Sequence, residues 1–95
     1  MNIEWSDEAL ADLASVHAFI AKENPSAAIK MVQAILASVE NNLPENPHIG
    51  RPGRVNGTRE LVITHTPYIV PYRVKSNIIH VLRVYHGARR WPDQM

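Results

Sequence analysis

Val55-Asn56-Gly57-Thr58-Arg59-Glu60-Leu61-Val62-Ile63 is the stretch at which the hydrophobic period of the chain changes. Asn56-Gly57 is a strong turn signal, since both residue types tolerate positive φ, and positions 58 to 63 read as a strand. Thr66-Pro67 breaks that strand, Tyr68 to Lys75 forms a second, Ser76-Asn77 turns, and positions 78 to 86 form a third. Links this short between successive strands predict an antiparallel meander.

Upstream of the change the period is helical. Ser6 followed by Asp7 and Glu8 is a helix start: the hydroxyl accepts an orphan backbone N–H, and the carboxylates meet the positive end of the macrodipole. Leu10, Leu13, Val16, His17 and Ile20 then recur at helical spacing. Asn24-Pro25 ends this helix and starts the next, because proline disfavours helix before itself and is pre-set for the first helical position. A second helix is predicted from about Pro25 to about Asn42, with Ala28, Val32, Ile35, Leu36, Val39 and Leu43 as its apolar stripe. Helices joined so tightly form a hairpin. Residues 1 to 5 alternate and predict a short strand around Ile3 and Trp5. Residues 44 to 53, with three prolines and two glycines, predict a loop that is basic at its far end.

The predicted order is β-α-α-β-β-β, an α+β fold with the helical hairpin packed on one face of a small antiparallel sheet. One residue conflicts with it. Pro71 lies inside the second strand of the meander and cannot donate to a ladder, so an edge position or a bulge is expected there.

The chain has 95 residues, 45% hydrophobic and 20% charged, which suits one domain spanning 1–95. With no cysteine it lacks a disulfide framework, a zinc knuckle and a thiol nucleophile, and fits a reducing cytosol. No stretch approaches the ~20 apolar residues of a membrane span, and the N-terminus has an acid where a signal peptide has its basic region. A soluble cytoplasmic protein with no membrane partner is expected. The net charge of +1 hides a split: residues 1–47 carry seven acids against two lysines, residues 48–95 eight bases against two acids. All seven arginines fall in the second half, which suggests a surface for an anionic or acidic partner.

Five histidines are present, none paired with a cysteine or carboxylate at ligand spacing, so neither a metal nor a cofactor is expected. A Gly-rich phosphate loop and a nucleophile elbow are also missing. Strand alternation places Arg83 and Tyr85 on one face with Ile79 and Val81, and His86 on the other with Leu82 and Val84. An arginine in so apolar a strand must be paired or face a groove. Either Arg83 pairs with a carboxylate such as Glu60, or Arg83 and Arg59, on neighbouring strands, line a concave surface for a phosphate or carboxylate. Beside such a surface Tyr85 and His86 could stack on a base or transfer a proton. Gly87-Ala88-Arg89-Arg90-Trp91-Pro92 reads either as a solvated basic tail with Trp91 folded onto the sheet, or as a cationic aromatic docking patch.

Three motifs then carry a resemblance: Gly57-Thr58-Arg59-Glu60-Leu61, Tyr68-Ile69-Val70-Pro71-Tyr72-Arg73-Val74 and Val84-Tyr85-His86-Gly87-Ala88-Arg89-Arg90. In this order, over essentially the whole chain, they resemble the RelE/ParE superfamily of toxins from type II toxin–antitoxin modules, most closely the ParE or plasmid-stabilisation branch. The resemblance implies a growth-inhibiting protein neutralised by a cognate antitoxin, with operator DNA reached only through that antitoxin. ParE-like members are associated with poisoning DNA gyrase, and RelE-like members with metal-independent cleavage of mRNA on the ribosome. A third reading is a binding module derived from such a toxin but no longer toxic. In the nuclease branch Arg59 and Arg83 would stabilise the phosphate, with Tyr85 and His86 in proton transfer. Target or antitoxin contacts would fall on Arg59, Arg73, Arg83, Arg89, Arg90 and Trp91. The nuclease branch's lysine-rich loop and helix are missing here, with only three lysines in the chain. Since grip on RNA grows with the phosphates neutralised, the modest net charge favours a protein target.

Overall fold

The computed structural model describes residues 1–88 and contains two helices against one sheet. Strand β1 (Asn2–Trp5) leads into α1 (Asp7–Ala21) through Ser6, whose side chain accepts the Ala9 N–H at 3.0 Å and donates to the Leu82 carbonyl at 2.8 Å. One residue thus caps the helix and ties it to the sheet. Helix α2 (Pro25–Asn42) has Pro25 at its first position, as the sequence predicts, and the Asn24 side chain caps it by accepting the Ala27 N–H. Four strands follow the expected course: β3 (Arg59–Val62), β4 (Tyr68–Lys75), β5 (Ile78–Val81) and β6 (Tyr85–His86), after a two-residue strand β2 (Arg51–Pro52) inside the predicted loop.

The sheet runs β1-β5-β4-β3-β2, with β6 also on β4. The meander β3–β4–β5 is antiparallel, whereas β1 joins β5 in parallel, so the sheet as a whole is mixed. The helical hairpin covers one face. Leu13, Val16, Ile35, Val39 and Leu43 from the helices pack there against Leu61, Val70, Tyr72, Ile79 and Val81 from the strands. In α1 the stripe is turned slightly from the expected one: Ala9 is buried, while Leu10 is half exposed and His17 faces solvent.

Pro71 explains why the third predicted strand becomes two. Register runs Tyr72↔Val81 on one side and Ile69↔Tyr85 on the other, so Val70 and Pro71 oppose three residues, 82–84. This is a bulge with one extra residue. The Pro71 carbonyl still accepts from Leu82 N–H at 3.0 Å, and the missing proline N–H falls where the opposite strand is interrupted. The insertion also breaks the alternation: Val84, predicted on the face away from Val81, enters the core with it.

Candidate functional site

The two arginines expected to share a concave surface are apart. Strand β4 lies between Arg59 on β3 and the bulge that carries Arg83, and the clefts the two residues line share no residue. Neighbouring placement fails because the chain passes β4 between them, and because the bulge turns Arg83 toward α1.

Arg83 meets Asp12. Its Nε donates to Asp12 Oδ2 at 2.8 Å and its Nη2 to Oδ1 at 3.1 Å, while the Val84 N–H donates to the same Oδ2 at 2.9 Å. One carboxylate therefore closes a bidentate pair and satisfies a backbone donor exposed by the bulge. The Asp12 hydrogen bonds hold the guanidinium in its charged form and raise its pKa further above the ordinary arginine value, outweighing partial burial. Glu60, the partner considered from sequence, lies elsewhere. It is 2% exposed on the opposite sheet face, where its carboxylate accepts from Arg51 Nε (3.1 Å) and from the Arg54 N–H (2.9 Å). That pairing pins β2 and the following loop across β3.

Tyr85 and His86 do come together with Arg83. The three line a cleft of about 230 Å³ with Asp12, Ser15 and the exposed Phe19 of α1. The Arg83 guanidinium sits 4.8 Å from the centre of the Tyr85 ring, a cation–π contact. Burial raises the Tyr85 pKa and the Arg83 charge only partly offsets that, so the phenol is protonated at neutral pH. His86 packs edge-on against Tyr68 at 5.6 Å, and the Ala88 N–H donates to its Nδ1 at 3.2 Å. In the neutral ring the proton then sits on Nε2.

Arg59 has a different surrounding. Its Nη1 donates to the carbonyls of His48 (3.1 Å) and Gly50 (2.9 Å) in the loop after α2. The same loop is held by Tyr72, whose hydroxyl donates to the Pro47 carbonyl (2.8 Å) and accepts from the Gly50 N–H (2.9 Å). Burial raises the Tyr72 pKa, and the Gly50 hydrogen bond and the Arg59 charge oppose it. Arg73 lies on the open face of the sheet, opposite His80. Arg89, Arg90 and Trp91 lie outside the described residues.

Sequence reasoning missed Asp12. A signal was present, since Asp12 is the sole carboxylate between Glu8 and Glu23, beside the buried stripe of α1, where an acid needs a partner. It missed Tyr72 as the latch of the 47–50 loop, because the contact spans 25 residues. Among the described residues no cluster of His, Cys, Asp or Glu has the makings of a metal site, and no helix is long and apolar enough to cross a membrane.

Residues 3–91 match the family model described as the ParE toxin of the type II toxin–antitoxin system parDE. Y4kP of Sinorhizobium fredii, a protein named as a toxin, is 43% identical over 91 residues, covering 96% of this chain and 93% of its own. Toxin RelE2 of Caulobacter vibrioides is 34% identical over 87 residues, covering 92% of this chain and 96% of its own. A solved chain of the chromosomal ParDE toxin–antitoxin system from P. aeruginosa superposes with a TM-score of 0.81 at 34% identity, covering 90% of this chain and 95% of that one.

Proposed function

The chain belongs to the ParE toxin family of type II toxin–antitoxin systems, and from that premise we propose that it arrests growth in the cytoplasm by acting on DNA gyrase, without an enzymatic step of its own, until a cognate antitoxin neutralises it. The observation that carries the choice of target is the separation of Arg59 from Arg83. Metal-free cleavage of a phosphodiester needs cationic donors converging on one phosphate, with a base and an acid beside it. Here Arg83 is already neutralised by Asp12, Arg59 is bound to loop carbonyls in another cleft, and Tyr85 holds its proton. His86 has its Nδ1 engaged by the Ala88 N–H. A protein–protein inhibitor needs no such convergence, and the rigid anchoring of both arginines suits a preformed surface.

The similarity to a solved ParDE system supports an antitoxin partner. An antitoxin would reach operator DNA on this protein's behalf. The exposed Leu10, Phe19 and Ile29 of the helical layer are apolar positions on which it could anchor.

The deciding experiment places the purified chain with gyrase, relaxed plasmid and ATP, and in parallel follows transcripts after induction in cells. Loss of supercoiling or a trapped cleavage complex, with mRNA intact, is expected. Unaltered gyrase together with codon-positioned mRNA cuts would replace this reading with the RelE-like endoribonuclease, and growth unaffected by induction would indicate a module without toxicity.

A further inference from the structure

The face of the sheet opposite the helices is cationic. The β-sheet registers put Glu60, Pro71, Arg73, Lys75, His80 and Glu4 on this face, and the Glu60 contacts bring Arg51 and Arg54 onto it. Among the described residues four permanent cations thus stand there against two carboxylates. Glu60 is 2% exposed, already enclosed by Arg51 and Arg54, and Glu4 lies 3.7 Å from His80 at the far edge. Among the described residues neither Arg73 nor Lys75 has a carboxylate within salt-bridge distance. The helical layer has the reverse sign: Asp7, Glu8, Asp12, Glu23 and Glu40 against Lys22 and Lys30 on α1, α2 and their junction. Among the described residues, part of the split between chain halves thus lies across the thickness of the domain, with Arg59 and Arg83 on the helical side.

We propose that this open sheet face is a contact for the phosphate backbone of duplex DNA, so that the protein engages DNA in the gyrase complex as well as gyrase itself. The inference rests on the gyrase reading only for where that DNA is met. Arg73 and Lys75 point the same way two residues apart on one strand, roughly 6.6 Å by strand geometry, with Arg51 two strands over, so the charges form a short line rather than a single pocket. A line of point charges grips successive phosphates. Among the described residues this face has no exposed aromatic platform of the kind single-stranded nucleic acid uses: Phe19, the exposed aromatic among their large apolar side chains, is on α1. Among the described residues the strongly exposed large apolar side chains that could anchor an acidic peptide are not on β4: Leu10, Phe19 and Ile29 are on the helices, Ile49 is in the loop before β2, Val62 ends β3, and Met1 precedes β1 at the far edge.

The test is fluorescence anisotropy of a labelled duplex oligonucleotide with the full chain, without gyrase, across a salt series, with poly-glutamate as competitor. Weak binding is expected, with log K falling against log salt at a slope of about −3 for three to four phosphate contacts. The double variant Arg73→Glu, Lys75→Glu, both at positions outside the core, should lose at least about tenfold in affinity and flatten the slope by about 2, with an unchanged circular dichroism spectrum. Lys75→Arg should bind as the parent. Absence of duplex binding, or binding indifferent to the double variant, would overturn the inference, as would poly-glutamate displacing DNA at equal charge concentration, which would assign the face to an acidic protein. Supercoiling assays then separate the two claims: duplex binding by a chain that leaves gyrase untouched refutes the gyrase reading alone, and gyrase inhibition by a chain with no duplex affinity refutes this one alone.

Discussion

Arg83 and Arg59, given one role by the family resemblance, are held in opposite ways. Arg83 faces a carboxylate, so its charge is locally cancelled and its role is to tie the bulge between β5 and β6 to α1. Arg59 faces two carbonyls, so its geometry is fixed while its full charge persists. An arginine in a sequence motif therefore does not by itself report a ligand site. The partner's charge decides whether the guanidinium is a structural tie or a fixed cation.

The contrast can be broken from the Arg83 side first. Asp12→Ala removes the acceptor of three hydrogen bonds and leaves a partly buried guanidinium and the Val84 N–H without it; a loss of about 2 kcal/mol in urea unfolding is expected, below the fully buried range because both side chains are partly exposed. Asp12→Asn should recover part of that loss. If Asp12→Ala unfolds like the parent, Arg83 is no structural tie and the contrast falls.

On the Arg59 side, Gly50→Ala would put a Cβ 2.6 Å from the Tyr72 hydroxyl and 2.9 Å from the Glu60 carbonyl oxygen. Backbone cannot yield as a side chain can, so about 1–3 kcal/mol of destabilisation is expected, read by thermal unfolding. Tyr72→Phe, which removes both hydroxyl hydrogen bonds of the loop latch, should cost about 1–2 kcal/mol and raise proteolytic nicking within 44–50. Nicking unchanged would mean that Arg59 alone holds the loop.

The smallest effect is electrostatic. Tyr72 and Tyr85 both have folded pKa values above the ordinary tyrosine value of 10.0. The native state then binds these protons more tightly than the unfolded one, so their stabilisation is complete below pH 10 and declines as pH rises through the folded values. Thermal midpoints measured from pH 8 upward should fall beyond about pH 10, and Tyr85→Phe should soften that fall. An unchanged slope in Tyr85→Phe would place the alkaline sensitivity entirely on Tyr72 and other groups.

Both helices, the cap at Ser6, the boundary at Asn24-Pro25, the strands of the meander and the family resemblance were legible in the sequence, because each depends on spacing within one segment. Pro71 was legible as a conflict, and the bulge resolves it. The pairing of Arg83 was not legible: Asp12 is 71 residues away, and the one-residue insertion broke the alternation on which the facing of Val84 depended. The separation of Arg59 from Arg83 escaped for a related reason, since strand order follows from how the chain returns across the sheet and not from local period.

The sequence by itself determined the α+β order, the turn positions and the division of charge between the halves, since propensity, turn chemistry and composition are local quantities. Tertiary structure alone decided that β1 closes the sheet in parallel beside β5, that Asp12 and not Glu60 neutralises Arg83, and that part of the charge division becomes a cationic sheet face behind an acidic helical layer. Those outcomes depend on which distant groups meet once the core has closed, and Coulomb and hydrogen-bond energies act over a few ångströms of space, whatever the separation along the chain.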